Sequence, residues 1–175
     1  MRRIQTWAPL VAVAVFVAAY LGPRFAGLRI NMSSSMPRGF YRAVDGKLER
    51  GVVVAACLPA DVACFGMERH YLGPGECPGG AEPVVKVVAA LEGSLVEVTA
   101  DHVLVDGEAL RRSRRQREDR GGRPLQSVSD GPRRLGRGEV WLHSPYEARS
   151  WDSRYFGPIP AKDILFVVEP VLTVP

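Results

Sequence analysis

The feature that most constrains this chain is an uncharged stretch of twenty residues near its start, from Ile4 to Pro23, flanked by arginines. As a helix, twenty residues rise about 30 Å, which is close to the thickness of the hydrocarbon core of a bilayer. The stretch therefore predicts one N-terminal transmembrane helix in residues 1–24. Two arginines precede the stretch and one follows it, which predicts a cytoplasmic N-terminus.

A cleavable secretory signal is the alternative for this stretch, with a cut near Ala18-Ala19, although bulky Tyr20 follows. A buried core helix is a third interpretation. The membrane anchor and the cleavable signal both predict that residues 25–175 are exported. The predicted location is therefore the inner (cytoplasmic) membrane, crossed once, with the exported domain on the periplasmic face.

The exported part is predicted to be all-β. The chain has 14 Pro and 18 Gly, which argues against a helical bundle. Short β-branched runs predict a closed or strongly curled antiparallel sheet, a β-barrel-like fold. Strands are expected at Gly51–Ala56, Pro83–Ala90, Leu95–Thr99, His102–Val105, Glu108–Leu110, Val140–His143 and Ile164–Glu169. Only Ala60–Tyr71 looks helical.

The net charge of +4 is distributed unevenly, because residues 111–137 hold ten Arg against three acidic residues. The basic pI therefore comes from one segment, which weakens a nucleic-acid interpretation, and no nucleic-acid partner is expected. This Arg-rich insert is interpreted as a solvated hairpin extension or a mobile loop. Contact with anionic lipid headgroups or an acidic partner is the alternative.

Three cysteines lie within twenty-one residues, at Cys57, Cys64 and Cys77. In an oxidising compartment two of them can pair and leave one over. Cys57–Cys77 is the first choice and Cys64–Cys77 the second. The spacing matches no zinc motif and only His70 lies nearby, so no metal site is expected.

Hydroxyl groups cluster at Ser33, Ser34 and Ser35, just before Pro37; alone, such a triplet indicates a turn. Lys86 lies in the middle of four valines, although lysine is rarely buried unpaired. It either points outward from an edge strand or is buried with a lowered pKa. In the second case its neutral amine can take a proton from a serine.

A third cluster, Trp151 to Gly157, sets Asp152 and Arg154 among three aromatic residues. By itself this pattern indicates a structural ion pair in a packed turn.

The three clusters, in this order, resemble the boxes of the type I signal peptidase family. The resemblance is carried by Ser33, Ser35-Met36-Pro37, Lys86 and Asp152-Ser153-Arg154-Tyr155-Phe156-Gly157. The chain is most similar to the conjugative-transfer (TraF-type) branch, through Ser35-Met36-Pro37-Arg38-Gly39-Phe40-Tyr41, Cys77-Pro78-Gly79-Gly80 and Gly122-Arg123-Pro124-Leu125. Housekeeping signal peptidases usually carry Gly-Asp-Asn-Arg before the last box. This chain has His143-Ser144-Pro145-Tyr146 there, which favours the specialised branch.

The resemblance implies a signal-peptidase-like fold and a Ser–Lys dyad in residues 25–175. Ser35 is the implied nucleophile and Lys86 the implied general base. The hydroxyl of Ser33 and the backbone N–H of Ser35 are the implied oxyanion hole. Ser150 is the implied hydroxyl that orients the lysine, with Ser153 as the alternative.

Asp152 and Arg154 are implied to hold the site together rather than to react. The chemistry needs no metal and no organic cofactor. The implied partners are an exported precursor, such as a conjugative pilin subunit, and the lipid bilayer. A general-secretion signal peptidase and a catalytically silent, membrane-anchored β adaptor are the alternative functions.

Overall fold

The computed structural model describes residues 9–13 and 27–174, and the regular secondary structure of this part is mostly β, in two antiparallel sheets. The larger sheet has seven strands in the order β1-β2-β11-β3-β4-β9-β10, and the smaller has four in the order β7-β6-β5-β8. The strands are β1 (Leu28–Asn31), β2 (Arg38–Val44), β3 (Val53–Ala56), β4 (Val84–Ala90), β5 (Leu95–Val98), β6 (Val103–Val105), β7 (Glu108–Ala109), β8 (Gly131–Arg134), β9 (Glu139–His143), β10 (Ile159–Pro160) and β11 (Ile164–Val174). The helices are α1 (Ala60–Glu68) and α2 (Ser153–Phe156), with a 3₁₀ turn at Ala161–Asp163.

The predicted fold class is wrong in one part, the N-terminal transmembrane helix. Among residues 9–13 and 27–174, no helix is long and apolar enough to cross a membrane. Residues 9–13 are helical. The rest of the predicted segment, residues 1–8 and 14–24, lies outside the described residues.

Strand β4 is an interior strand of the larger sheet and lies between β3 and β9. Its sequence alternates between buried and half-buried positions over Val84–Val88, as the two-residue period of a strand requires. Lys86 falls on a buried position and is paired in register with Val54 of β3. The interpretation that places this lysine on an edge strand is therefore excluded.

Strand β11 joins the hairpin of β1 and β2 to the remainder of the sheet, because it pairs with β2 on one side and β3 on the other. The two chains approach so closely at Gly39 that a Cβ there would lie 2.1 Å from the carbonyl oxygen of Leu172. Glycine is therefore required at this position of β2. Its φ of 141° is also a conformation that other residues rarely adopt.

Three apolar clusters lie in the interior of the described part of the chain, and the smallest contains Tyr41, Ala55 and Val168. The first packs α1 against the larger sheet, with Val54, Val88 and Leu142 at its centre. The second packs the smaller sheet against the end of β4 and against Trp141. Cys57 and Cys77 form a disulfide that ties the chain before α1 to the chain before β4, and Cys64 is free and exposed.

The Arg-rich insert, residues 111–137, folds back onto the protein. Its last part forms β8, which pairs with β5, and Leu135 directly after β8 is buried in the second cluster. Several of its arginines serve as internal donors. Arg115, for example, donates to the carbonyls of Thr99 and Val128.

Candidate active site

The loop that carries the serine triplet is held by Asn31, a buried residue at the end of β1. Its amide nitrogen donates to the carbonyls of Ser33, Met36 and Pro37 at 3.1, 3.2 and 3.1 Å. Its amide oxygen accepts the backbone N–H of Ser33. Tyr41 on β2 donates its hydroxyl to the carbonyl of Pro37 at 2.7 Å. Both strands of the hairpin therefore fix the loop.

Ser35 lies at the meeting point of the predicted site residues. Lys86 Nζ donates to Ser35 Oγ at 2.8 Å and to the carbonyl of Val85 at 3.2 Å. Ser33 Oγ lies 2.9 Å from Ser35 Oγ and accepts the backbone N–H of Ser35 at 3.2 Å. Ser34, the middle residue of the triplet, is exposed. Ser35 therefore contacts both Ser33 and Lys86, and the catalytic roles of the three residues remain predictions.

Burial controls the protonation of Lys86, which is 4% exposed. Loss of hydration disfavours the ammonium form and lowers the pKa of Lys86 from 10.5 to about 8. The negative charge of Asp152 opposes this shift, and the positive charge of Arg154 adds to it. A sizeable fraction of this amine is therefore neutral near physiological pH.

A buried ion pair lies behind the lysine. Arg154 donates to both carboxylate oxygens of Asp152, at 2.7 and 2.9 Å, and neither residue is exposed. Arg154 also donates to carbonyls of the insert and of the segment before α2. His143 Nδ1 lies 3.3 Å from Asp152 Oδ2, although it is not aligned as a hydrogen bond. Burial alone would raise the pKa of Asp152. The effects of His143 and Arg154 are larger together, so the pKa of this carboxyl is lowered.

Ser144 is a site residue that sequence reasoning missed. It is fully buried, and its hydroxyl donates to the carbonyl oxygen of Ser35. Its backbone N–H donates to Asp152 at 3.3 Å, so it links the buried ion pair to the nucleophile loop. In the sequence, a serine before Pro145 indicates only a turn, and no local pattern marks a contact across 109 positions.

The two candidates for the lysine-orienting hydroxyl differ in their surroundings. Ser153 Oγ accepts the backbone N–H of Leu142 at 2.9 Å. Ser150 Oγ is buried and has no hydrogen-bond partner among the described residues. Ser150 lines the same cleft as Lys86 and Ser153 does not, and the lysine-orienting role of either hydroxyl stays a prediction.

The site opens into a cleft of about 1020 Å³. Two groups of residues line the cleft together with the serines and the lysine, and they are termed here its apolar side and its polar side. The apolar side consists of residues from β1 and the residue after it, β2, β4 and β11, including Leu28, Ile30, Met32, Tyr41, Val85 and Phe166. The polar side consists of residues from the end of α1, the insert and the segment before α2, including Tyr71, Asp119, Arg120, Arg123, Glu147 and Trp151. Within residues 9–13 and 27–174, no group of His, Cys, Asp and Glu side chains could hold a metal ion.

Comparison with known proteins gives matches along nearly the whole chain. The signal peptidase family, peptidase S26, matches residues 1–172. A plasmid transfer protein TraF from Escherichia coli is 37% identical over 175 residues, which cover 99% of this chain and 97% of that one. A probable conjugal transfer protein TraF from Sinorhizobium fredii is 41% identical over 169 residues, covering 94% and 85% respectively.

Among solved structures, a signal peptidase I from Enterococcus faecalis has a TM-score of 0.40 and 18% identity, over 70% of this chain and 97% of that one. The sequence matches, by contrast, run over almost the full length of both partners. The chain therefore belongs to the signal peptidase family, peptidase S26, in the branch that contains the TraF proteins.

Proposed function

We propose that the protein is a serine endopeptidase that cleaves leader segments from exported precursors, with Ser35 as nucleophile and Lys86 as general base. The observation that carries the proposal is the 2.8 Å contact between Lys86 Nζ and Ser35 Oγ. The amine in this contact is buried and has a pKa of about 8. A general base acts best when its pKa lies near the working pH.

In the proposed reaction, neutral Lys86 accepts the proton of Ser35 Oγ as that oxygen attacks the scissile carbonyl. The resulting ammonium gives the proton to the leaving amine, and an acyl-enzyme ester remains. Lys86, neutral again, then takes a proton from a water molecule that hydrolyses the ester and releases Ser35.

The oxyanion of each tetrahedral intermediate accepts hydrogen bonds from Ser33 Oγ and from the backbone N–H of Ser35. In the structure, that N–H donates to Ser33 Oγ, so the oxyanion takes over a donor that already lies at the site. Loss of one such donor costs about 3 kcal/mol of transition-state stabilisation.

The relatives named for plasmid and conjugal transfer support a role in conjugation, with a pilin precursor as the substrate. The disulfide between Cys57 and Cys77 supports an oxidising compartment, so we place residues 25–175 on the periplasmic face of the cytoplasmic membrane. Exposed Ile30 and Met32 line the cleft, and exposed Leu172 lies on β11 beside β2. These side chains support contact of the domain with the bilayer surface, where a leader segment emerges.

The test is cleavage of a pilin precursor by the full chain in detergent micelles, followed by mass spectrometry of the products. Ser35→Ala and Lys86→Arg should abolish cleavage, because the first removes the nucleophile and the second replaces the amine by a guanidinium that does not deprotonate. Ser34→Ala is the matched control and should cleave normally, since this serine is exposed beside the site. Activity of Ser35→Ala with loss of activity in Ser34→Ala would overturn the assignment.

The pH dependence supplies a second test that does not require a variant. The rate should rise with pH, reach half of its maximum near pH 8 and level off more than about one pH unit above that, as Lys86 loses its proton. A rate that stays flat between about pH 6 and pH 10, with chemistry limiting, would exclude Lys86 as the base.

A further inference from the structure

The polar side of the cleft contains a rigid turn within the Arg-rich insert, residues 116–125, here termed the insert hairpin. Glu118 and Pro124 form a β-bridge, and the backbone N–H of Asp119 donates to the carbonyl of Arg123 at 2.9 Å. Asp119 Oδ1 accepts the backbone N–H groups of Gly121 and Arg123 at 2.8 and 2.9 Å. The carboxylate of Asp119 therefore stabilises its own turn by accepting two backbone N–H groups.

The same carboxylate fastens the insert hairpin to the chain after α1. Tyr71 donates its hydroxyl to Asp119 Oδ2 at 2.6 Å, and Arg123 donates to the carbonyl of Arg69 at 2.9 Å. The Tyr71 hydrogen bond, together with the donors of the turn, lowers the pKa of Asp119 despite burial of the carboxylate. Asp119 therefore stays ionised over the whole working pH range, and the insert hairpin keeps its place beside the cleft.

Aromatic rings and paired charges form the surface next to the insert hairpin. Tyr71 and Trp151 lie side by side, with ring centroids 5.2 Å apart. Arg123 pairs with Asp119 at 2.7 Å, and Arg120 pairs with Glu147 at 3.0 Å. Because these arginines are paired with carboxylates, the surface offers hydrogen-bonding groups rather than a net positive field. Such a surface suits a polar polypeptide segment better than a phosphate group.

A substrate must cross the cleft so that its scissile carbonyl reaches Ser35 while the chain continues on both sides. The residues before the cut of an exported precursor are apolar or small, and they match the apolar side. The residues after the cut then lie on the polar side. A volume of about 1020 Å³ is at the upper end of ordinary ligand sites, which leaves room for several residues.

We propose that the polar side of the cleft, built by the insert hairpin with Tyr71 and Trp151, is a binding site for the first residues of the mature chain. This inference rests on the proposed peptidase function. It makes the affinity for a precursor depend on the sequence after the cut as well as on the leader.

The experiment uses two peptide substrates with the same leader and cut, one with about ten residues after the cut and one with two. Wild-type protein should show a lower KM for the long substrate. Asp119→Ala should raise the KM of the long substrate about tenfold, because it releases the insert hairpin from Tyr71, and should leave kcat unchanged. Both constants for the short substrate should stay as in wild-type protein.

Asp130→Ala is the matched control, because Asp130 lies in the same insert and pairs with Arg115 but does not line the cleft. It should leave both substrates unchanged. If Asp119→Ala does not fold, Tyr71→Phe removes one hydroxyl from the same contact, and it should raise the KM of the long substrate alone.

A wild-type protein that does not distinguish the two substrates, or a variant that weakens both equally, would overturn the proposed binding site. Cleavage of the short substrate reports on Ser35 and Lys86 independently. Failure of the peptidase assignment would instead appear as cleavage that survives Ser35→Ala.

Discussion

Replacement of Lys86 by methionine should abolish cleavage and at the same time stabilise the protein. The pKa of Lys86 is about 8 in the folded chain against an ordinary 10.5, because burial disfavours the ammonium form. A difference of this size lowers the free energy of unfolding by about 3 kcal/mol when the lysine is protonated. Methionine has a similar length and no charge, so it can occupy the site beside Val84 and Val88 without this cost.

The stabilisation should depend on pH in the direction that a lowered lysine pKa requires. Below about pH 8 the lysine is protonated in both the folded and the unfolded chain, so the cost is fully present. Between about 8 and 10.5 the unfolded chain binds the proton more readily, and wild-type stability therefore rises with pH relative to the variant. Above that range Lys86 is neutral in both the folded and the unfolded chain, so its charge no longer contributes to the difference in stability between the two proteins.

Urea unfolding of wild-type protein and Lys86→Met, with the disulfide intact, measures the effect at about pH 6.5 and about pH 10.5. The variant should be more stable by ~2–3 kcal/mol at the lower pH, and the gap should nearly close at the higher pH. Taking the difference between two proteins at each pH removes the contribution of the tyrosines. A gap that does not change with pH, or a less stable variant at pH 6.5, would refute the reasoning.

Two further substitutions test the surroundings of the dyad, and an alkylation experiment tests the disulfide. Ser144→Ala should lower kcat about tenfold with little change in KM, because it frees the carbonyl of Ser35; an unchanged kcat in steady-state assays would contradict this role. Ser33→Ala should lower kcat on the order of 100-fold without moving the pH profile, and a shifted profile would instead tie Ser33 to the pKa of Lys86. Alkylation of the folded chain without reductant should label Cys64 alone, as read by mass spectrometry, and label at all three cysteines would remove the disulfide.

The β-branched runs located the interior of the two sheets correctly because buried strands leave a local apolar signature. The run predicted at Pro83–Ala90 is β4, and the Asp106-Gly107 turn joins β6 to β7. Strands β1 and β2 were missed because exposed arginines interrupt their apolar residues. Strand β8 contains a proline and two arginines, and it forms only because β5 offers a partner.

The full length of β11 in the larger sheet was also not predicted. The strand expected at Ile164–Glu169 continues past Pro170 to Val174. Proline lacks the N–H that a regular ladder needs, and the pairing with β2 accordingly shifts its register between Pro170 and Leu172. A rule that ends strands at proline cannot foresee such a bulge.

Within the site, sequence motifs could single out Ser35 and Lys86 because each lies in a distinctive local context. The third motif also predicted that Asp152 and Arg154 hold the site together, but the contacts that set the environment of the dyad could not be found this way. Asp152 acts on Lys86 through tertiary packing alone, and Ser144 reaches Ser35 from another part of the chain.

The position of β11 has a consequence for the timing of activity. In the larger sheet, the hairpin that carries Ser35 is attached to the lysine strand through β11, which comes after every other described strand along the chain. The serine loop comes early in the chain, but β2 and β4 acquire their relative position only after β11 pairs between β2 and β3. Pairing over such sequence distances is a slow step in folding. The contact between Ser35 and Lys86 should therefore form late, when the last strand has joined the sheet.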